Sequence, residues 1–210
     1  MAIGGNILAT HKKSGSGVVK LWSINEDNSL SHIRDITSPD SANSGSFGWP
    51  LNIDGNFLGI GSRYTSIGGT LAGRYYVYDL SDFSLKTSFN PSPETHGYFA
   101  SEGDLDNDVL VIGESGNWGS FNTEAAITAY KVSTSGFTAV EIFREEIPSA
   151  GTGGSKIAGL TISGDTVIGR FERETENDWQ IIMWNVVRDN AGAPTGLQKV
   201  HTLTEAKDVN

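Results

Sequence analysis

The chain contains no cysteine. Disulfides, a thiolate nucleophile and every cysteine-based zinc or iron–sulfur site are therefore excluded, while the compartment stays open. Long apolar runs are missing too: nothing approaches the roughly 18 residues that a membrane-spanning helix needs. Met1-Ala2-Ile3-Gly4-Gly5-Asn6 has neither the basic nor the apolar region of a signal peptide, so use without classical secretion, or prior loss of a leader, is expected. Cations are in the minority. Lys and Arg number 15 against 25 Asp and Glu, for a net charge of −10. That balance excludes nucleic acid, whose phosphates require a basic surface, and disfavours an anionic membrane surface.

Catalytic signatures are equally scarce. The sequence has no G-x-S-x-G elbow, H-E-x-x-H, Walker A or G-x-G-x-x-G motif. Gly151-Thr152-Gly153-Gly154-Ser155-Lys156 has a phosphate-loop composition but runs into a strand pattern, without the helix N-terminus that makes such loops bind. His11, His32, His96 and His201 lie apart with no metal-ligand spacing. Glu141, Glu145, Glu146, Glu172, Glu174 and Glu176 offer carboxylates of the kind used in glycoside hydrolysis, but spacing does not pair them. No enzymatic activity is expected.

What the sequence does have is glycine, 26 of them, and only two methionines, a balance suited to many tight turns. It also repeats itself. Val18–Ile24, Arg74–Leu80, Ala126–Val132 and Gln180–Val186 align on Trp22, Tyr78, Tyr130 and Trp184, about 50 residues apart. An aliphatic residue follows each aromatic two positions on, on the same strand face. Upstream of each copy a turn pair runs into apolar residues: Gly5-Asn6, Gly55-Asn56, Asn107-Asp108 and Gly164-Asp165. Such pairs signal hairpins in which both turn residues favour positive φ. Strands at Trp49–Ile53, Phe99–Gly103 and Ile157–Ile162 precede three of these turns. Fourth strands follow at Leu30–Ile36, Leu85–Phe89, Phe137–Phe143 and Leu197–Leu203. The expected fold is all-β, a propeller of about four blades of four antiparallel strands, with blades near 1–46, 47–95, 96–152 and 153–210. A β-sandwich or open β-array is the alternative. Because Met1-Ala2-Ile3 is only a stub, Glu205–Asn210 is the candidate strand to lie beside it and close the ring; failing that, the chain is an open segment of a larger ring.

The clearest copy, Phe47-Gly48-Trp49-Pro50-Leu51-Asn52-Ile53-Asp54-Gly55-Asn56-Phe57-Leu58-Gly59-Ile60-Gly61 continuing to Gly73–Tyr78, resembles the FG-GAP repeat family. Those repeats occur in integrin α-subunits and in bacterial and phage surface proteins. His96-Gly97 and Gly153-Gly154 stand in for Phe-Gly in the later copies, and four blades is fewer than the seven common in the family. The resemblance implies calcium at Asp104-Leu105-Asp106-Asn107-Asp108, since alternating carboxylates suit a hard cation. Val109, where the family has glycine, and Ile112, at the last ligand position, depart from that pattern; a solvated acidic turn is the alternative.

Recognition is expected on the face bearing the irregular loops Ser62–Gly73, Glu114–Glu124 and Phe171–Asp178 and the blade connections Thr37–Gly48, Asn90–Gly97 and Pro148–Ser155. Arg63, Tyr64, His96, Asn117, Trp118, Phe121 and Asn122 are the candidate ligand- or partner-binding residues there, because aromatic faces stack on sugars and anchor protein interfaces. The alternative is that Trp118 and Phe121 fold back on their own loop. The functional expectation is a non-enzymatic structural or binding module, oligomeric or not, docking on other virion or surface proteins as a capsid decoration, tail or fibre component. A stand-alone adhesion or glycan-recognition propeller is the second reading. Either places it on a virion or an extracellular surface.

Overall fold

The computed structural model describes residues 1–11, 17–40, 46–67, 70–91, 98–116, 124–133, 138–148, 154–173 and 178–206. Blade one comprises β1 (Ala2–Gly4), β2 (Ile7–His11), β3 (Val18–Ile24) and β4 (Leu30–Thr37). Blade two has β5 (Leu51–Asp54) and β6 (Phe57–Ser62), a small hairpin β7 (Ser66–Ile67) and β8 (Thr70–Leu71), then β9 (Arg74–Asp79) and β10 (Leu85–Phe89). Blade three is β11 (Tyr98–Asp106), β12 (Val109–Ser115), β13 (Ala125–Ser133) and β14 (Thr138–Ile147). Blade four is β15 (Ser155–Ser163), β16 (Thr166–Arg173), β17 (Asp178–Arg188) and β18 (Pro194–Ala206). Each blade is a four-stranded antiparallel sheet in sequence order, with β7–β8 forming a separate two-stranded sheet.

The turns between the first two strands of each blade share one geometry. Gly5, Gly55, Asn107 and Gly164 all sit at φ between 52° and 56°. Only the first turn residue is left-handed; Asn6, Asn56, Asp108 and Asp165 are not, which corrects the expectation of positive φ at both. The third and fourth strands also repeat a detail. Their register slips at the aromatic position in every blade, between Leu21 and Trp22, Ala129 and Tyr130, Met183 and Trp184, and opposite Tyr78 between Leu85 and Thr87. A bulge there bends the outer strand and increases its twist.

Alternation along the strands gives each blade two apolar faces, and the faces pack in series. One core joins blades one and two through residues such as Val19, Leu21, Leu58 and Tyr78. A second joins two and three through Tyr75, Val77, Leu110 and Tyr130. A third joins three and four through Ile127, Ala129, Val167 and Trp184. No such core among the described residues joins blade four to blade one, so the blades form an open arc. The expected closing strand is not made by Glu205 and Ala206. Both extend β18 and pair with Trp179 and Asp178 of β17, whose length lets the ladder run on to Ala206; 207–210 lie outside the described residues. Met1 and Ile3 remain exposed.

Candidate functional site

The inner strands end in two unlike faces. On one, the turns described above hold the blades together through carboxylates. Asp54 Oδ2 accepts the Asn107 N–H at 2.8 Å, and Asp106 Oδ2 accepts the Gly164 N–H at 2.6 Å. Asp104 Oδ2 accepts both the Thr161 hydroxyl at 2.9 Å and the Ile162 N–H at 3.0 Å. Asp108 takes both terminal nitrogens of Arg188, at 2.9 and 3.0 Å, while Asp165 receives the Arg188 Nε–H at 2.8 Å. Asp104, Asp106 and Asp108 thus point to separate partners, and among the described residues no group of three or more His, Asp or Glu side chains is placed to hold a metal ion. The alternating pattern that suggested calcium works here as a row of inter-blade hydrogen bonds.

On the opposite, loop-bearing face lies a cavity of about 360 Å³ lined by Arg63, Tyr64, Tyr98, Ser101, Ser115, Lys156 and Ile157. Arg63 and Tyr64 follow directly from β6; Tyr98 and Ser101 open β11; Ser115 closes β12; Lys156 and Ile157 open β15. Three blades therefore contribute their loop-face strand ends to one depression. What shapes it is a bulge in β11. Phe99 pairs with Glu114 and Glu102 with Gly113, leaving Ala100 and Ser101 extra, with Ala100 buried at φ 59°. A left-handed alanine is uncommon and costs about 1 kcal/mol or more. The start of β11 is fixed by the Phe99 N–H donating to Ala72 O at 3.0 Å. That approach is possible because residue 73 is glycine: at its φ of 81°, a Cβ would lie 2.0 Å from the Phe99 carbonyl oxygen.

The side chains form an amphipathic wall. The Arg63 guanidinium lies 4.7 Å from the Tyr64 ring centre, and Tyr64 meets Tyr98 edge to face at 5.3 Å. Arg63 Nε is buried without a hydrogen-bond partner among the described residues, as is Ser62 Oγ beside it. Such groups are rare and costly when nothing answers them. Ser101 Oγ donates to Tyr98 O at 2.6 Å, and Ser115 Oγ accepts the Ile157 N–H at 3.2 Å. Lys156 is 3.8 Å from Glu172. Glu102, next to Ser101, is pushed up to about 7 by burial, against which the Arg63 charge pulls downward.

Of the residues expected from sequence, Arg63 and Tyr64 line this cavity together. His96, Asn117, Trp118, Phe121 and Asn122 lie outside the described residues, the last four in the segment that begins just after the cavity-lining Ser115. Sequence reading missed Tyr98, Ser101, Glu102, Ser115 and Lys156. Their signal was position rather than motif: each stands at or near the loop-face end of an inner strand. Lys156 was in view only as part of a phosphate-like run.

No family model matches the chain. No curated protein matches it either. Among solved structures it is similar to a protein from Lactobacillus plantarum, with a TM-score of 0.62 at 13% identity over 100% of this chain and 56% of that one. It is similar to Kluyveromyces lactis Hsv2, with a TM-score of 0.57 at 9% identity, over 96% and 60% of the two chains. A hypothetical selenium-binding protein from Sulfolobus tokodaii gives 0.56 at 12% identity, over 90% and 47%. The chain thus spans less than two thirds of the length of these structures. At such identities the likeness is one of fold, and the fold is that of a β-propeller.

Proposed function

We propose that this chain is a non-enzymatic binding module whose loop-face cavity takes a ring-bearing acidic ligand, a glycan with a carboxylate or sulfate group being the fitting class. The observation that carries this reading is Arg63. Its guanidinium lies over the Tyr64 ring while its buried Nε–H lacks an acceptor among the described residues, at the rim of a cavity that also holds Tyr98 and Lys156. Arginine on an aromatic face is suited to planar anions, and tyrosine pairs suit sugar rings. The FG-GAP character of the repeat at Phe47–Tyr78 and placement on an extracellular surface belong to the same proposal. An array of sialylated, uronic-acid and sulfated glycans, probed with the chain and with Arg63→Ala and Tyr98→Ala, tests it. Binding to an acidic glycan that both variants lose is the expected result; binding to none, or binding indifferent to both, would sink the idea.

The scaffold reading, docking on a virion or other large assembly, is favoured by a different feature: the two end faces of the arc, which no blade among the described residues covers. Native isolation followed by mass spectrometry separates the two readings. Co-purification with capsid or tail proteins supports docking, and recovery as a free small species removes it.

A further inference from the structure

The three internal interfaces use one recurring contact. Ile36, Phe89, Glu145 and Leu203 occupy the same register place on their outer strands, opposite Val19, Tyr75, Ile127 and Ile181. In each internal interface that residue meets the aromatic of the next blade. Ile36 shares a core with Tyr78; Phe89 lies 4.7 Å from the Tyr130 ring; Glu145 accepts the Trp184 Nε1–H at 2.8 Å. The series leaves one giver and one receiver over. Among the described residues no blade follows Leu203, which is 43% exposed, and none precedes Trp22. Trp22 is half-buried, whereas Tyr78, Tyr130 and Trp184 are 6%, 9% and 0% exposed. Neither Trp22 nor Leu203 belongs to any of the three cores.

The chemistry of the two ends is matched. Trp184 needs Glu145 because its indole N–H is directed at the preceding blade. Leu203, in the place of Glu145, offers no acceptor, and Trp22 does not need one: its Nε1–H donates to Thr10 Oγ1 of its own blade at 3.1 Å. Lys20, on the same face of β3, is held by Asp35 at 3.1 Å. An indole laid on Leu203 therefore leaves its own N–H paired, as an apolar contact requires, and the charged neighbours keep partners in their own blades: His32, edge-on to Trp22, pairs with Asp35, and Arg170 lies over the Trp179 ring. Half-buried Ile168, Ile181 and Met183 widen the receiving face.

We propose that a second copy of this chain completes the ring, blade one of each copy packing on blade four of the other with Trp22 against Leu203. The two contacts are identical head-to-tail interfaces related by a two-fold axis, so the assembly closes rather than polymerises. Eight blades lie within the range of about four to eight in which propellers close. This goes beyond the cavity reading and does not depend on it.

Light scattering and sedimentation of the 210-residue chain test the proposal. The expected mass is twice 22.4 kDa at tens of micromolar protein. Trp22→Asp and Leu203→Asp should each weaken the dimer by about thirtyfold or more, as loss of a central interface anchor does. Trp22→Ala and Leu203→Ala keep the test alive should an acid disturb folding, which melting curves monitor. Val140→Asp, on an exposed position of β14, should leave the dimer intact. A monomer at every concentration overturns the proposal and gives the end faces to further blades or another protein. A dimer indifferent to both positions overturns it as well, as do particles that grow with concentration.

Discussion

The two ends of the inner strands treat polar groups in opposite ways. At the turn face, Asp54, Asp104, Asp106 and Asp108 each accept hydrogen bonds from the next blade. At the loop face, Arg63 Nε and Ser62 Oγ are buried without partners among the described residues, Ala100 is left-handed, and Glu102 is held in a half-buried place that favours its neutral form. Strain and unanswered polar groups persist only where the surrounding structure forces them, and they gather where a ligand can answer them. In the proposed function the turn face serves stability and the loop face recognition, on one scaffold.

The strongest way to break this contrast is Asp104→Ala. It removes a charged acceptor from the N–H of buried Ile162 and from the exposed Thr161 hydroxyl, with a cost of about 2–3 kcal/mol in chemical denaturation and no change in ligand binding at the loop face. The next is Glu102→Gln. The folded-state value near 7 stands above the ordinary 4.5, so the folded chain holds a proton that the unfolded chain releases between those pH values. Stability should therefore fall as pH rises from about 4.5 to 7 and stay lowered above that. With allowance for partial solvent exposure, the loss is roughly 2 kcal/mol. Glu102→Gln should remove that slope, raising the melting temperature at pH 8 and leaving it unchanged at pH 4. A variant that keeps the slope would mean that another group carries it. Smaller still is Arg188→Ala, which frees Asp108 and Asp165 at a partly exposed place. About 1 kcal/mol or less is expected from urea unfolding, since exposed ion pairs contribute little.

Why the turn face was legible in outline and the loop face was not follows from the range of the interactions. Gly5, Gly55, Asn107 and Gly164 announce their turns through local backbone preference, and Trp22, Tyr78, Tyr130 and Trp184 announce the blades through repetition. The partners of Asp104 and Asp106 stand nearly 60 residues away, at Thr161, Ile162 and Gly164, and no local rule connects them. Read locally, three alternating acids suggested one cation. Read in the fold, they serve the next blade. The cavity was hidden for a second reason. A strand at Phe99–Gly103 implies strict alternation, and the bulge at Ala100 breaks it, so which side Ser101 and Glu102 would face did not follow from the pattern. Arg63 and Tyr64 were visible because they interrupt a strand pattern just beyond its end. The misplaced closing strand has a similar origin: the sequence contains no stop signal at Leu203, and β18 continues along β17 to Ala206.

The sharpest form of the contrast is the change with the smallest effect on stability. Arg63→Ala removes a guanidinium that has one buried donor without an acceptor among the described residues, that lies over the exposed Tyr64 ring and whose charge opposes the upward shift of Glu102. Removing it should shift unfolding by no more than about 0.5 kcal/mol in either direction, the range of surface changes that orphan nothing. A gain is favoured by one change: the variant no longer buries an N–H that lacks an acceptor among the described residues. Binding of an acidic ligand, in contrast, loses a charge-assisted contact of about 1.5–3 kcal/mol, so affinity measured by calorimetry should drop tenfold or more. Asp104→Ala should do the reverse, lowering stability while leaving affinity alone. If instead Arg63→Ala destabilises as much as Asp104→Ala, the guanidinium is a structural group, and the division of labour between the two faces fails at its main residue.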